Sequence, residues 1–161
     1  MSNSISRALL LIIAMAVSLS AGIWLYQYNK IDFETLQGDT YKWNSLRGEW
    51  VIINYFAPWC TPCLREMPEL HHLNQNLPSN TRLFAINYDV LSIEELQAMT
   101  EKFDITLDVI VATQDTRLPI ERPPYLPATY IIGPNGDVQA TIMGEVTAEL
   151  LTQKLSQLQA R

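Results

Sequence analysis

The sequence predicts an α/β fold, a central mixed β-sheet with helices on both faces, preceded by a β-hairpin extension and a membrane-anchor helix. Three observations predict it. Two apolar, β-rich runs, WVIINYFA at 50–57 and TRLFAINY at 81–88, read as strands buried on both faces. Each precedes a segment that opens like a helix, the first at a cysteine pair and the second at Ser92, whose partner Glu95 completes a capping box. The chain then closes with a hairpin pattern and an amphipathic tail, so that helices alternate with strands first and an antiparallel pair comes last.

The elements follow in order. From Ala8 to Tyr26 the chain carries no charge, a length that crosses a hydrocarbon core about 30 Å thick. Arg7 lies before this run, Lys30 after it, and Trp24, Tyr26 and Tyr28 stand where an interfacial aromatic belt would be. The competing reading is a cleaved signal peptide with Ser18-Leu19-Ser20 at the cut. The run stays apolar past that site, longer than secretory apolar regions of about 7–15 residues, which favours an uncleaved signal anchor. Residues 1–30 are therefore read as anchor and linker, and 31–161 as one folded domain. A small hairpin is expected around Gly38-Asp39. The helix beginning at the cysteines should run to about Asn76, ahead of Pro78, and the one from Ser92 to about Phe103. Residues 107–112 suggest a short strand, and 113–127 a proline-rich loop. Residues 128–144 form a hairpin turning at Pro134-Asn135-Gly136. Leu150, Leu151, Leu155 and Leu158 mark one face of a closing helix over 147–159.

The net charge of −6 offers no basic surface, which sets nucleic-acid binding aside. The only two cysteines, Cys60 and Cys63, lie three positions apart in NYFAPWCTPCLREMPEL. As a structural staple they would close a loop too short to remove much unfolded-chain entropy. As a metal site they could hold Cu(I), with Met67, His71 and His72 downstream, but a closed zinc site lacks its other ligands. As a redox pair they account for more of their surroundings. Cys60 falls at the presumed N-cap of a helix, where unpaired N–H groups and the dipole favour a thiolate. Pro62 occupies the first turn, where a missing N–H costs little. Cys63, one turn further in, would be the resolving thiol of ordinary disulfide exchange.

WCTPC after VIINYFA, EMPEL in the same helix and LPATYIIGPNGDV downstream resemble the thioredoxin superfamily, and more narrowly its membrane-anchored TlpA/ResA-like branch, from about Asp32 to the C-terminus. The resemblance implies a thioredoxin-like fold and a protein-disulfide oxidoreductase with Cys60 as nucleophile and Cys63 as resolving cysteine. It implies that Pro127 is a cis-proline which, with Leu126, presents backbone to an extended substrate segment, and that Pro68 kinks the active-site helix. Trp59, Pro58 and Tyr125 are inferred to line the substrate groove. Asn54 stands where many thioredoxins carry a buried Asp. An amide cannot take a proton, so another group must help deprotonate Cys63. The resemblance points beyond the second strand, to Asp89. Glu66, one turn past Cys63, is a second candidate, with a solvated helix carboxylate as its ordinary state.

Thr61 and Pro62, between the cysteines, bring no cation to stabilise a thiolate, unlike a strong oxidant. The anchored branch that the chain resembles is mostly reducing, and the resemblance thus implies a reductase of protein disulfides outside the cytoplasm, single-pass in the cytoplasmic membrane with its domain on the periplasmic or extracytoplasmic side. It would be recharged by a membrane thiol-disulfide donor, with no cofactor or resident metal. By resemblance its targets are the haem-site cysteines of apocytochrome c, in cytochrome c biogenesis, or the copper-site cysteines of an oxidase subunit. The alternatives are a Cu(I)-binding, metallochaperone-like protein using the same cysteines, and a binding module that uses the fold only as a platform.

Overall fold

The computed structural model describes the backbone of residues 2–160 and the side chains of residues 10–25 and 30–160. It divides into two compact units, 1–31 and 32–161. The first is a single helix, α1 (Ser2–Asn29). Its described apolar side chains are exposed all round, among them Leu10, Ile12, Val17 and Ile23. Among the described residues no helix is long and apolar enough to cross a membrane. The side chains of Arg7, Tyr26 and Tyr28, which entered the anchor reading, lie outside the described residues.

The second unit is built on a five-stranded sheet. In chain order its strands are β3 (Trp50–Phe56), β4 (Thr81–Asn87), β5 (Asp108–Ile110), β6 (Ala128–Ile132) and β7 (Val138–Met143); β1 (Phe33–Glu34) and β2 (Thr40–Tyr41) form a separate small hairpin. The strand order is β5-β4-β3-β6-β7. β3 runs parallel to β4, and β4 to β5, while β6 is antiparallel to both β3 and β7. β3 sits at the centre with all seven residues buried, which is why it reads as one uninterrupted apolar run.

The helices are α2 (Thr61–Gln75), α3 (Ile93–Lys102) and α4 (Ala148–Gln159). Ser92 and Glu95 do form the reciprocal cap that opens α3. Gly136, with φ near +88°, makes the turn between β6 and β7. All three helices contribute to one core, where Leu70, Leu96 and Leu151 pack with Ile52, Phe56, Leu83 and Ile131. This corrects the expectation of helices on both faces. The β3–α2–β4 and β4–α3–β5 crossovers step the same way across the sheet, and right-handed crossovers then leave both helices on one side. The opposite face, carrying Val51, Ile53, Phe84 and Tyr130, is covered instead by Phe33, Tyr41, Trp43 and Leu46 and by Leu118 and Ile120 of the loop before β6.

The N-terminal segment also covers an edge. Leu36 N–H donates to the Val109 carbonyl at 2.8 Å, Val111 N–H donates to Glu34 at 2.9 Å, and Thr35 bridges Ile110 in antiparallel register. The outer backbone groups of β5 are thus paired rather than left open.

Candidate active site

β3 leads through buried Ala57 to half-buried Pro58 and exposed Trp59, and α2 follows, capped by Cys60. Cys60 is the N-cap of α2, and its Sγ accepts a hydrogen bond from the Cys63 N–H at 3.3 Å. Pro62 lies in the first turn, where no intrahelical partner is lost. The two cysteines are joined as a disulfide, with Cα atoms 5.3 Å apart. Cys60 keeps 5 % of its surface and Cys63 none, so only the first cysteine retains any contact with solvent. Pro68 lies inside α2 and withholds one N–H from the helical ladder.

The Leu126–Pro127 peptide bond is cis. β6 pairs Ala128 with Tyr55, so Pro127, one residue earlier, lies level with the end of β3 from which the cysteine loop departs. Its carbonyl accepts from Gly144 N–H at 2.9 Å, and half-buried Leu126 packs against the cores on both faces of the sheet. On the rim, Trp59 and Tyr125 stand exposed. Pro58 and Trp59 also wall a shallow groove completed by Ala98, Met99, Lys102 and Phe103 of the α3 region.

The two carboxylate candidates separate clearly. Asp89 sits on the surface, where its Oδ2 accepts the Trp59 indole N–H at 2.7 Å and its Oδ1 lies 4.0 Å from Arg122 Nη2. Arg122 in turn lies 3.7 Å from the centre of the Tyr88 ring, and Tyr88 meets Trp59 edge-on. Asp89 therefore orients the tryptophan before Cys60 and is not directed at Cys63. Glu66 is the reverse of the solvated carboxylate expected of it: it is 1 % exposed. Three residues past Cys63, it shares that residue's inward face of α2. Its Oε1 accepts from Asn54 Nδ2 at 2.8 Å and its Oε2 from Val146 N–H at 2.8 Å. Burial pushes its pKa up to about 7, against the lowering effect of those two donors; nearby Glu145 adds a little to the rise.

Asn54, on β3, reaches Thr129 Oγ1 on β6 at 3.1 Å as well as Glu66. Thr129 and the Val146 N–H had no signal in the sequence. The inward placement of Glu66 did have one, because positions 63, 66, 67 and 70 fall on a single helical face. The proposed copper ligands do not gather: Met67 is core, His71 Nε2 accepts from the Thr106 N–H, and His72 lines a groove between α2 and α4. Among the described residues no three His, Cys, Asp or Glu side chains are grouped to hold a metal ion.

The assembly is a cysteine pair, here oxidised, with its second member fully shielded and a buried, hydrogen-bonded carboxylate three residues further along the same helix. The model of the AhpC/TSA family matches residues 27–141. The thiol-disulfide oxidoreductase ResA of Geobacillus kaustophilus is 30 % identical over 129 residues, spanning 76 % of this chain and 71 % of its own. The thioredoxin-like protein YneN of Bacillus subtilis is 27 % identical over 124 residues, spanning 76 % and 72 %. Among solved structures, StoA from Bacillus subtilis superposes with a TM-score of 0.65 at 18 % identity, covering 75 % of this chain and 92 % of that one. An exposed lipoprotein thioredoxin of Streptococcus pneumoniae gives 0.69 at 18 %, covering 78 % and 96 %.

Proposed function

The chain belongs to the thioredoxin-like AhpC/TSA family and is a thiol-disulfide oxidoreductase of protein substrates, and from that premise we propose that it acts as a reductase outside the cytoplasm. The observation that carries the chemistry is the pairing of an N-cap cysteine with a buried carboxylate one turn beyond its partner. In the reduced enzyme the Cys60 thiolate, favoured by the N-terminus of α2, attacks one sulfur of a substrate disulfide. A Cys60–substrate disulfide forms and the other substrate sulfur leaves as a thiolate. Glu66 then takes the proton of the Cys63 thiol, and the Cys63 thiolate attacks Cys60 Sγ. The second substrate sulfur departs, the enzyme keeps a Cys60–Cys63 disulfide, and two electrons have passed to the substrate. A base with a pKa near 7 suits a thiol of ordinary pKa about 8.5, because the carboxylate is available at neutral pH without being too weak to accept.

The uncharged run from Ala8 to Tyr26 and the exposed apolar surface of α1 support an uncleaved anchor in the cytoplasmic membrane. On that reading a membrane thiol donor restores the dithiol, and the substrates are extracytoplasmic disulfides such as those of haem-site or copper-site cysteines. The test is trapping. Cys60→Ser abolishes exchange, and Cys63→Ser holds the substrate as a mixed disulfide that can be identified. A reduction potential near −120 mV, the value of a strong oxidant, with the pair found oxidised in cells, overturns the reductase assignment.

A further inference from the structure

The amide of Asn54 is wholly buried and oriented against its own interest. Its Nδ2 donates to both Glu66 Oε1 and Thr129 Oγ1, while its buried Oδ1 has no hydrogen-bond partner. A buried carbonyl oxygen without a donor is costly, and native proteins keep few of them. Rotating the amide by half a turn would let Oδ1 accept from the Thr129 hydroxyl, but it would also set that oxygen against Glu66 Oε1 and turn both N–H groups to the side where Oδ1 now finds no partner. The carboxylate therefore dictates the orientation.

Resting on the reading of Glu66 as the proton acceptor, we propose that Asn54, oriented by Thr129, is a positioning residue that holds Glu66 Oε1 and aims the carboxylate at Cys63. Glu66 is fixed at two points from two directions, by Asn54 from β3 and by the Val146 N–H from the segment ahead of α4. The groups that act on it are Asn54 and, through it, Thr129 from the sheet, the Val146 N–H, and Glu145, whose charge is paired with Arg65; Cys63 precedes it by three residues on the same helical face. Asn54 supplies the donor without adding a charge. An Asp at this position would compete with Glu66 for the same proton, whereas an amide can only hold the group that takes it. The residue that cannot accept a proton thus sets where and how readily its neighbour does.

The experiment mixes the full-length reduced protein, in detergent, with glutathione disulfide and follows release of the second glutathione across pH. In the parent protein the rate rises with pH through a limb set by Glu66. Asn54→Ala removes one of the two donors that favour the charged carboxylate and moves that limb up by about one pH unit. Thr129→Val, which deletes the hydroxyl at constant volume, moves it in the same direction by less, and Thr129→Ser restores it. If Asn54→Ala does not fold, the Thr129 pair carries the test alone. Variants that fold with lowered urea midpoints but keep the parent limb make Asn54 and Thr129 structural only, and the proposal fails. Glu66→Gln separates the two readings: a limb that survives this substitution refutes Glu66 itself.

Discussion

Replacing Glu66 by Gln offers a measurement that needs no substrate. In the folded protein the carboxyl group titrates at about 7, against 4.5 when unburied. That gap corresponds to about 3 kcal/mol, taking roughly 1.4 kcal/mol per pKa unit. Because the folded pKa is the higher one, the native state binds the proton more tightly than the unfolded chain does. The stabilisation is fully present below the unfolded pKa and is lost as pH rises through the folded one. Urea unfolding of the oxidised protein should therefore show stability falling by about 3 kcal/mol between pH 4.5 and 7 from this group, then levelling. Glu66→Gln removes that component while keeping the volume. The parent-minus-variant difference isolates it from other titrating groups, and from the fixed cost of presenting an amide to Asn54 and the Val146 N–H. A difference that stays constant across pH 4 to 8 would mean that Glu66 is not held away from water, and the argument for it as a neutral-pH base would collapse.

Three further outcomes follow from the same structure. Asp89→Ala frees the Trp59 indole, and steady-state assays should show a severalfold higher KM for a protein disulfide, with the Cys63 resolution rate unchanged. Ser92→Ala opens the capping box of α3 and should cost about 1 kcal/mol in urea denaturation, with unchanged redox behaviour. Leu70→Ala empties a fully buried position between α2 and the sheet and should cost about 2–5 kcal/mol, read as a fall in Tm.

Much of this was legible in the sequence, and the unread parts share a cause. β3 and β4 announced themselves because a strand buried on both faces needs an unbroken apolar run, and α3 because Ser92 and Glu95 satisfy each other locally. The cysteine spacing and the LPAT segment pointed to the disulfide and to the cis Leu126–Pro127 bond. What stayed hidden depends on contacts between residues distant in sequence. The helical face hints that Glu66 turns inward, but its second donor, the Val146 N–H, comes from 80 positions later and leaves no local mark. Asp89 looked like a base from position alone, yet the Trp59 indole claims it. The helices could not be assigned to one face from their periodicity, since each shows only that it has an apolar side, not which layer of the sheet that side meets.

The strip from Glu34 to Leu36 that closes the β5 edge has a consequence for how the chain comes together. Its partners, Val109 to Val111, are about seventy-five residues downstream, so during synthesis the strip must wait while most of the domain emerges. Contacts of such separation form late, because the loop they close is costly before other contacts shorten it. Until then the outer edge of β5 is open to strangers, and the first folded-domain residues to leave the ribosome are among the last to find their places.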